Sequence, residues 1–203
     1  MTINTEQRQQ QRHRERQQKV KEAVDAKVAA ATEERGVLMV LTGNGKGKST
    51  AGFGTVARAV GHGKQAAVVQ FIKGNWDCGE RKLLEANGVP FEVMATGFTW
   101  ETQDREADTA AALKAWEAAE RWLADPSIDL VLLDELTYMV SYHYLELERV
   151  LSALRQRPLH QHVIITGRNC HRQLIELADT VTELECVKHA FEAGVKAQPG
   201  FDF

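Results

Sequence analysis

Long apolar runs are missing from this chain of 203 residues. None approaches the roughly 20 residues that cross a bilayer, and no apolar core of the signal-peptide kind stands near the N-terminus. A soluble, cytoplasmic protein with no membrane partner is expected. Cysteine is scarce: Cys78, Cys170 and Cys186 are odd in number, widely spaced and form no C-x-x-C pair, so they read as reduced thiols rather than a disulfide framework. Positive charge is not in excess either. With 25 Lys and Arg against 28 Asp and Glu, the net charge is −3, which argues against general nucleic-acid binding, because that needs a basic surface to displace counterions from a phosphate backbone. Any polyanion held here is small and locally bound. No internal repeat is visible, and 43% hydrophobic content is enough for one sizeable core.

Residues 1–35 differ from the rest. They are rich in Gln, Arg, Lys and Glu, and Val20, Val24, Val28 and Ala31 form one weak helical stripe. Two readings stand side by side: a solvated extension, since such a stripe buries too little surface to hold a helix down, or an arm that orders against a ligand or a partner subunit. Residues 36–203 are expected to form a single domain. There, apolar runs at 37–42, 66–72, 90–94, 128–133, 162–166 and 180–184 alternate with helical patterns, the mark of repeated β-α units. Ala112, Trp116, Ala119 and Leu123 share one helical face that stops at Asp125-Pro126, and Leu147, Val150, Leu151 and Leu154 share another. The expected fold is α/β, with a mostly parallel sheet of about six strands, helices on both faces and ligand at the C-terminal strand ends, and the glycine-rich TGNGKGKST (42–50) after the first run makes it P-loop NTPase-like (RecA-like). Leu130 to Leu133 is apolar throughout, which suits a central strand covered on both sides.

LTGNGKGKST, residues 41–50, follows the first apolar run. It fits G-x-x-x-x-G-K-[ST] except that Thr42 stands where the first glycine belongs and Gly43 comes next. Glycines at 43, 45 and 47 let successive backbone N–H groups turn toward one anion, Lys48 adds a compact positive charge, and the Ser49 hydroxyl can ligate Mg²⁺. A helix beginning near Lys48 adds its positive dipole end. Later, Ile128-Asp-Leu-Val-Leu-Leu-Asp134-Glu135 runs from apolar residues into two acids, resembling a Walker B strand. On a strand neighbouring the phosphate-loop strand, such a carboxylate reaches the Mg²⁺ that bridges nucleotide phosphates; the alternative is that the acids cap the next helix. N-K-x-D, L-S-G-G-Q and a basic stretch with interleaved aromatics are all absent, removing the evident GTPase, transporter-ATPase and helicase readings. On motifs alone a small-molecule kinase or an ATPase, in which Glu135 would polarise water, stays open.

Several segments together resemble the ATP:corrinoid adenosyltransferases of the CobA/BtuR type: TGNGKGKST (42–50), ARAVGHGK (57–64), VVQFIKG (68–74), GERKLLE (79–85), VMATGFTWET (93–102), LLDELTYMV (132–140), VIITGRNCHRQLIELADTVTEL (163–184) and the tail VKHAFEAGVKAQPG (187–200). The resemblance implies transfer of the 5′-deoxyadenosyl group of ATP to Co(I) of a corrinoid (cobalamin, cobinamide or a cobyrinic acid derivative), with triphosphate as leaving group. It also implies ATP bound in the reverse direction along its loop, a homodimer whose arm covers the partner's site, a flavoprotein reductant, and Mg²⁺, with Mn²⁺ as a substitute.

Carried over residue by residue, it makes Gly43, Asn44, Gly45, Lys46, Gly47, Lys48, Ser49 and Thr50 the nucleotide contacts. Ser49 and Glu135 become the Mg²⁺ ligands, with Asp134 as ligand or support. Lys48 is catalytic, and Phe98 and Trp100 of GFTW fill the lower face of the corrin and exclude its axial base; the plainer alternative for the aromatics is packing. Arg58 is expected to touch phosphate, although a solvated helix arginine fits nearly as well, and Arg168 after the fifth run is an even choice. His160 and His162 have no third ligand nearby and read as structural.

Overall fold

A computed structural model of the chain describes residues 5–72, 78–94 and 104–202. Two compact units are present, 1–34 and 35–203. In the first, helix α1 (Thr5–Ala30) is about 39 Å long at 1.5 Å per residue. Its polar surface is laced by pairs one turn apart, Gln11 with Glu15 and Gln18 with Glu22. Val20, Val24 and Val28 are on it and are 57%, 51% and 68% exposed; Ala31 falls just past its end.

In the second unit the chain runs β1 (Leu38–Thr42), α2 (Lys48–Gly61), β2 (Ala66–Gln70), α3 (Gly79–Ala86), β3 (Phe91–Val93), α4 (Arg105–Ala124), β4 (Leu130–Asp134), α5 (Leu136–Ser141), α6 (Leu147–Gln156), β5 (His162–Thr166), α7 (Arg172–Leu177), β6 (Thr180–Glu183) and a 3-10 turn at Ala190–Ala193. All six strands pair in parallel, in the order β3-β2-β4-β5-β1-β6. Register sets Leu38 opposite Val163, Leu130 opposite His162 and Ala66 opposite Leu130. The expected strands are therefore present. One expectation is corrected: the acid-bearing strand β4 does not neighbour the phosphate-loop strand, because β5 stands between β4 and β1.

Side chains of successive strand residues point to opposite faces, and the core divides accordingly. Leu38, Val40, Val69, Val131, Leu133, Val163 and Ile165 join Trp116 and Leu123 of α4 and Val150, Leu151 and Leu154 of α6. Leu41, Val68, Leu130, Leu132 and Ile164 join Phe53 and Val56 of α2 and Leu84 of α3. Helices thus cover both faces, and β4 is buried at every position. Helix α4 starts where the Asp104 side chain accepts the Ala107 amide at 3.0 Å, with Glu106 and Asp108 in its first turn facing the positive dipole end; it stops before Pro126. Trp116, fully buried, anchors it, and truncation of such a side chain costs about 3–5 kcal/mol. Glu120 accepts both the Trp116 indole N–H at 2.9 Å and a two-pronged Arg149 guanidinium at 2.7 and 2.6 Å, tying α4 to α6.

Candidate active site

The segment 43–47 joins β1 to α2 at the C-terminal edge of the sheet. Gly43 and Gly47 have φ of 96° and 113°, a region that other residues enter only with strain, and Gly47 caps α2 so that Lys48 opens the helix. Lys48 is only 7% exposed and donates to the Gly45 carbonyl at 2.8 Å. Burial pushes its pKa below the ordinary lysine value. The Glu135 carboxylate opposes that shift, Arg168 reinforces it, and Asp134 opposes it. Two acids at the end of β4 and an arginine just after β5 therefore act on the loop lysine. Ser49 is half-buried in the first turn of α2, while Asn44, Lys46 and Thr50 are exposed.

Asp134 ends β4 and is fully buried. One oxygen accepts the Thr166 hydroxyl at 2.7 Å and the other the Gln70 amide at 3.4 Å. Thr166 also accepts the Glu135 backbone amide at 2.9 Å. Glu135 sits at φ 62°, in the left-handed region that costs a non-glycine residue on the order of 1 kcal/mol. The turn so formed lifts its side chain out of the strand and starts α5. Gly167 makes the matching turn after β5: at φ 135° a Cβ there would lie 2.1 Å from Thr137 Oγ1 and 3.1 Å from Glu135 Oε2. Thr137 in turn donates to the Arg168 carbonyl at 2.6 Å. The ends of β4 and β5 are interlocked, and they present Glu135 and Arg168 toward Lys48.

Sequence reasoning missed Thr166, Gln70 and Gly167, which no local motif marks. Thr166 and Gly167 could have been suspected only as a polar residue and a glycine directly after the apolar run 163–165.

Arg58 stands at the opposite end of α2 from the glycine-rich loop. It lies in the last turn of α2, ten residues and about 15 Å along the helix from Lys48, and it lines a cavity of about 350 Å³ with Val37, Lys64, Asp129, His160 and His162. Those residues lie at the N-terminal ends of β1, β2, β4 and β5, so the helix axis carries Arg58 away from the loop toward the opposite edge of the sheet. His162 Nδ1 accepts the Val37 amide at 3.1 Å, and His160 pairs with the Pro126 carbonyl at 3.2 Å. Among the described residues no group of three His, Cys, Asp or Glu converges as a metal site. Phe98 and Trp100 lie outside the described residues. The three cysteines are free thiols, and burial pushes Cys170 up to about 11. No helix among the described residues is long and apolar enough to cross a membrane.

An all-parallel sheet with a glycine-rich loop feeding a helix, and an acidic pair one strand removed in which Asp134 is buried and Glu135 half-buried, defines a P-loop nucleotide-binding α/β protein. The chain belongs to the ATP:corrinoid adenosyltransferase BtuR/CobO/CobP family, whose model matches residues 34–203; a Cob(I)alamin adenosyltransferase N-terminal model matches residues 3–28. Corrinoid adenosyltransferase CobA of Salmonella typhimurium is 68% identical, with 95% of this chain and 98% of that protein covered. The corrinoid adenosyltransferase of Escherichia coli K12 is 66% identical with the same coverage, and that of Pseudomonas aeruginosa 54% identical over 95% of this chain and 96% of its own length. Among solved structures, domain III of the Thermotoga maritima replication initiation protein DnaA reaches a TM-score of 0.41 at 13% identity, over 80% of this chain and 60% of that one, a likeness too slight to carry an argument. The family's activity, ATP:corrinoid adenosyl transfer, is this chain's enzymatic class.

Proposed function

We propose that the loop 42–50 holds the triphosphate of ATP as a leaving group, with the ribose C5′ facing Co(I) of a corrinoid substrate. The Co(I) electron pair attacks C5′, the C5′–O bond breaks, and its electrons depart with the triphosphate, leaving an alkyl–cobalt(III) product. The observation that carries the reading is the burial of Lys48 at the loop with Glu135, Asp134 and Arg168 acting on it. An ammonium already desolvated interacts more strongly with charge developing on a leaving group than one in water does. Lys48 donates to the Gly45 carbonyl of its own loop, a bond that a phosphate oxygen would take over. The backbone N–H groups of Gly43 to Thr50, with the Asn44 and Lys46 side chains, are the proposed nucleotide contacts.

The hard oxygen donors available at the site fit Mg²⁺ and, by the same chemistry, Mn²⁺. When bound, the ion supplies positive charge to the departing triphosphate. Ser49 and Glu135 would hold it. Asp134 is assigned the supporting role, because both its oxygens already accept from Thr166 and Gln70, and a carboxylate so committed orients its neighbours. Phe98 and Trp100 are assigned to the corrin's lower face on family resemblance alone. A division into an arm, 1–35, and a catalytic domain, 36–203, a cytoplasmic homodimer and a flavoprotein reductant belong to the same proposal.

The test is the product. MgATP with chemically reduced Co(I) cobalamin is expected to give triphosphate and a light-sensitive alkylcobalt spectrum in equal amounts, and to leave ATP almost untouched when corrinoid is omitted. Rapid ADP formation without corrinoid would move the assignment to an ATPase or kinase, since those break a phosphoanhydride rather than C5′–O.

A further inference from the structure

The chain that leaves β6 meets the phosphate loop at three places. The Leu184 carbonyl accepts the Gly45 amide at 2.6 Å. A Cβ on Gly43 would lie 2.4 Å from the Leu184 carbonyl oxygen, and one on Gly45 would lie 2.6 Å from that of Glu185, so the glycines admit a close backbone approach as well as the turn. At the far end of the tail, Asp202 Oδ1 accepts the Lys46 ammonium at 2.6 Å, and the Phe201 ring lies 5.9 Å from that nitrogen. The carboxylate is itself held. Its second oxygen accepts the Gln198 amide at 2.9 Å, and the Asp202 amide donates to the Gln198 carbonyl at 2.8 Å. The Lys46 ammonium and the Gln198 amide keep the Asp202 carboxyl below its usual range.

Glycines at 43, 45 and 47 make this loop costly to order, because glycine loses more conformational freedom on fixing than any other residue. If the loop is loose beforehand, that cost falls on nucleotide binding. We propose that Asp202 is a positioning residue for the phosphate loop: by holding Lys46, while Leu184 and Glu185 close on Gly43 and Gly45, it keeps the loop in its nucleotide-binding shape before MgATP arrives. Asp202 acts on the nucleotide only through Lys46 and the loop backbone. The proposal rests on the reading of this loop as the MgATP site.

Calorimetric titration of the full-length protein with MgATP, without corrinoid, tests it. Asp202→Asn is expected to bind MgATP about three-fold more weakly, the scale of one exposed charged pair, and Asp202→Glu to recover part of the loss. In the asparagine variant the amides of residues 43–48 should exchange hydrogen faster while the thermal midpoint stays put. KM for ATP should rise by the same factor as the dissociation constant, with kcat at saturating ATP unchanged, a split that mere loss of folding stability would not produce. Equal MgATP affinity in wild type and Asp202→Asn would overturn the proposal. So would tighter binding by the variant, which would make Asp202 a competitor of the triphosphate for Lys46. A wild-type protein that binds no MgATP would overturn the site reading itself, and the proposal with it, an outcome distinct from two equal affinities.

Discussion

Thr166 bridges Asp134 and its neighbour: its hydroxyl donates to the buried Asp134 carboxylate at 2.7 Å while accepting the Glu135 backbone amide at 2.9 Å. One side chain of β5 thereby sets both acids at the end of β4, Asp134 within the strand and Glu135 just beyond it, and the intervening strand becomes part of the site. Replacing Thr166 by valine keeps the shape and removes both bonds. The buried Asp134 carboxylate and the part-buried Glu135 amide each lose a partner, together at a cost of about 1–3 kcal/mol. Urea unfolding should show a loss within that range, and the Mg²⁺ concentration for half-maximal activity should rise.

Gly167→Ala is expected to be worse than its size suggests. Its φ of 135° is unfavourable for alanine, and the added methyl would fall 2.1 Å from Thr137 Oγ1. A loss of about 2–4 kcal/mol in unfolding free energy is expected. Because the same carbon would come 3.1 Å from Glu135 Oε2, the Mg²⁺ dependence of activity should shift as well. A variant of full activity and stability would show that the β4 and β5 turns are not coupled.

Lys48→Ala should abolish turnover and greatly weaken MgATP binding, leaving the triphosphate's charge under-compensated. Glu135→Ala should lose Mg²⁺-dependent activity, on the order of a hundred-fold as for other electrostatic contributors, whereas His162→Ala, whose ring only accepts the Val37 amide, should cost stability rather than rate. Steady-state assays across Mg²⁺ concentrations decide between them. If the histidine change did more damage to activity, the metal assignment to Glu135 would be wrong.

Acid stability should depend in part on Asp179. Its carboxylate accepts the Arg35 guanidinium at 2.7 Å and the Leu38 amide at 2.8 Å, tying the segment before β1 to the start of β6, and Arg35 first among these holds its pKa below the ordinary value. A group depressed in the folded state stabilises above its unfolded pKa of about 3.9 and loses that contribution as pH falls through the folded value. Below pH 4 the urea midpoint of the wild type should therefore fall, and that of Asp179→Asn should fall less steeply. Solvent screening of the half-exposed Arg35 keeps the difference small.

The phosphate loop was legible in the chain itself. Its strand, its alternate glycines, its lysine and its helix are consecutive, so the geometry they adopt depends on bonds between near neighbours. The same holds for the run from Leu130 into Asp134 and Glu135, and for Ala112, Trp116, Ala119 and Leu123, whose helical spacing alone puts them on one buried face. What the tertiary structure decided is which of these pieces meet. No local pattern states that β5 lies between β4 and β1, yet that order brings Thr166 to Asp134 and Arg168 to Lys48. Arg58 shows the converse: it shares α2 with Lys48, but a helix advances 1.5 Å per residue, so membership of the same element carried it to the other end of the sheet. Asp202 reaches Lys46 across 156 positions only because β6 pairs with β1 and delivers the tail beside the loop. Side-chain pairing between distant segments is set by strand order and register, and those are determined by how the two hydrophobic faces of the sheet are covered, a property of the whole chain rather than of any stretch of it.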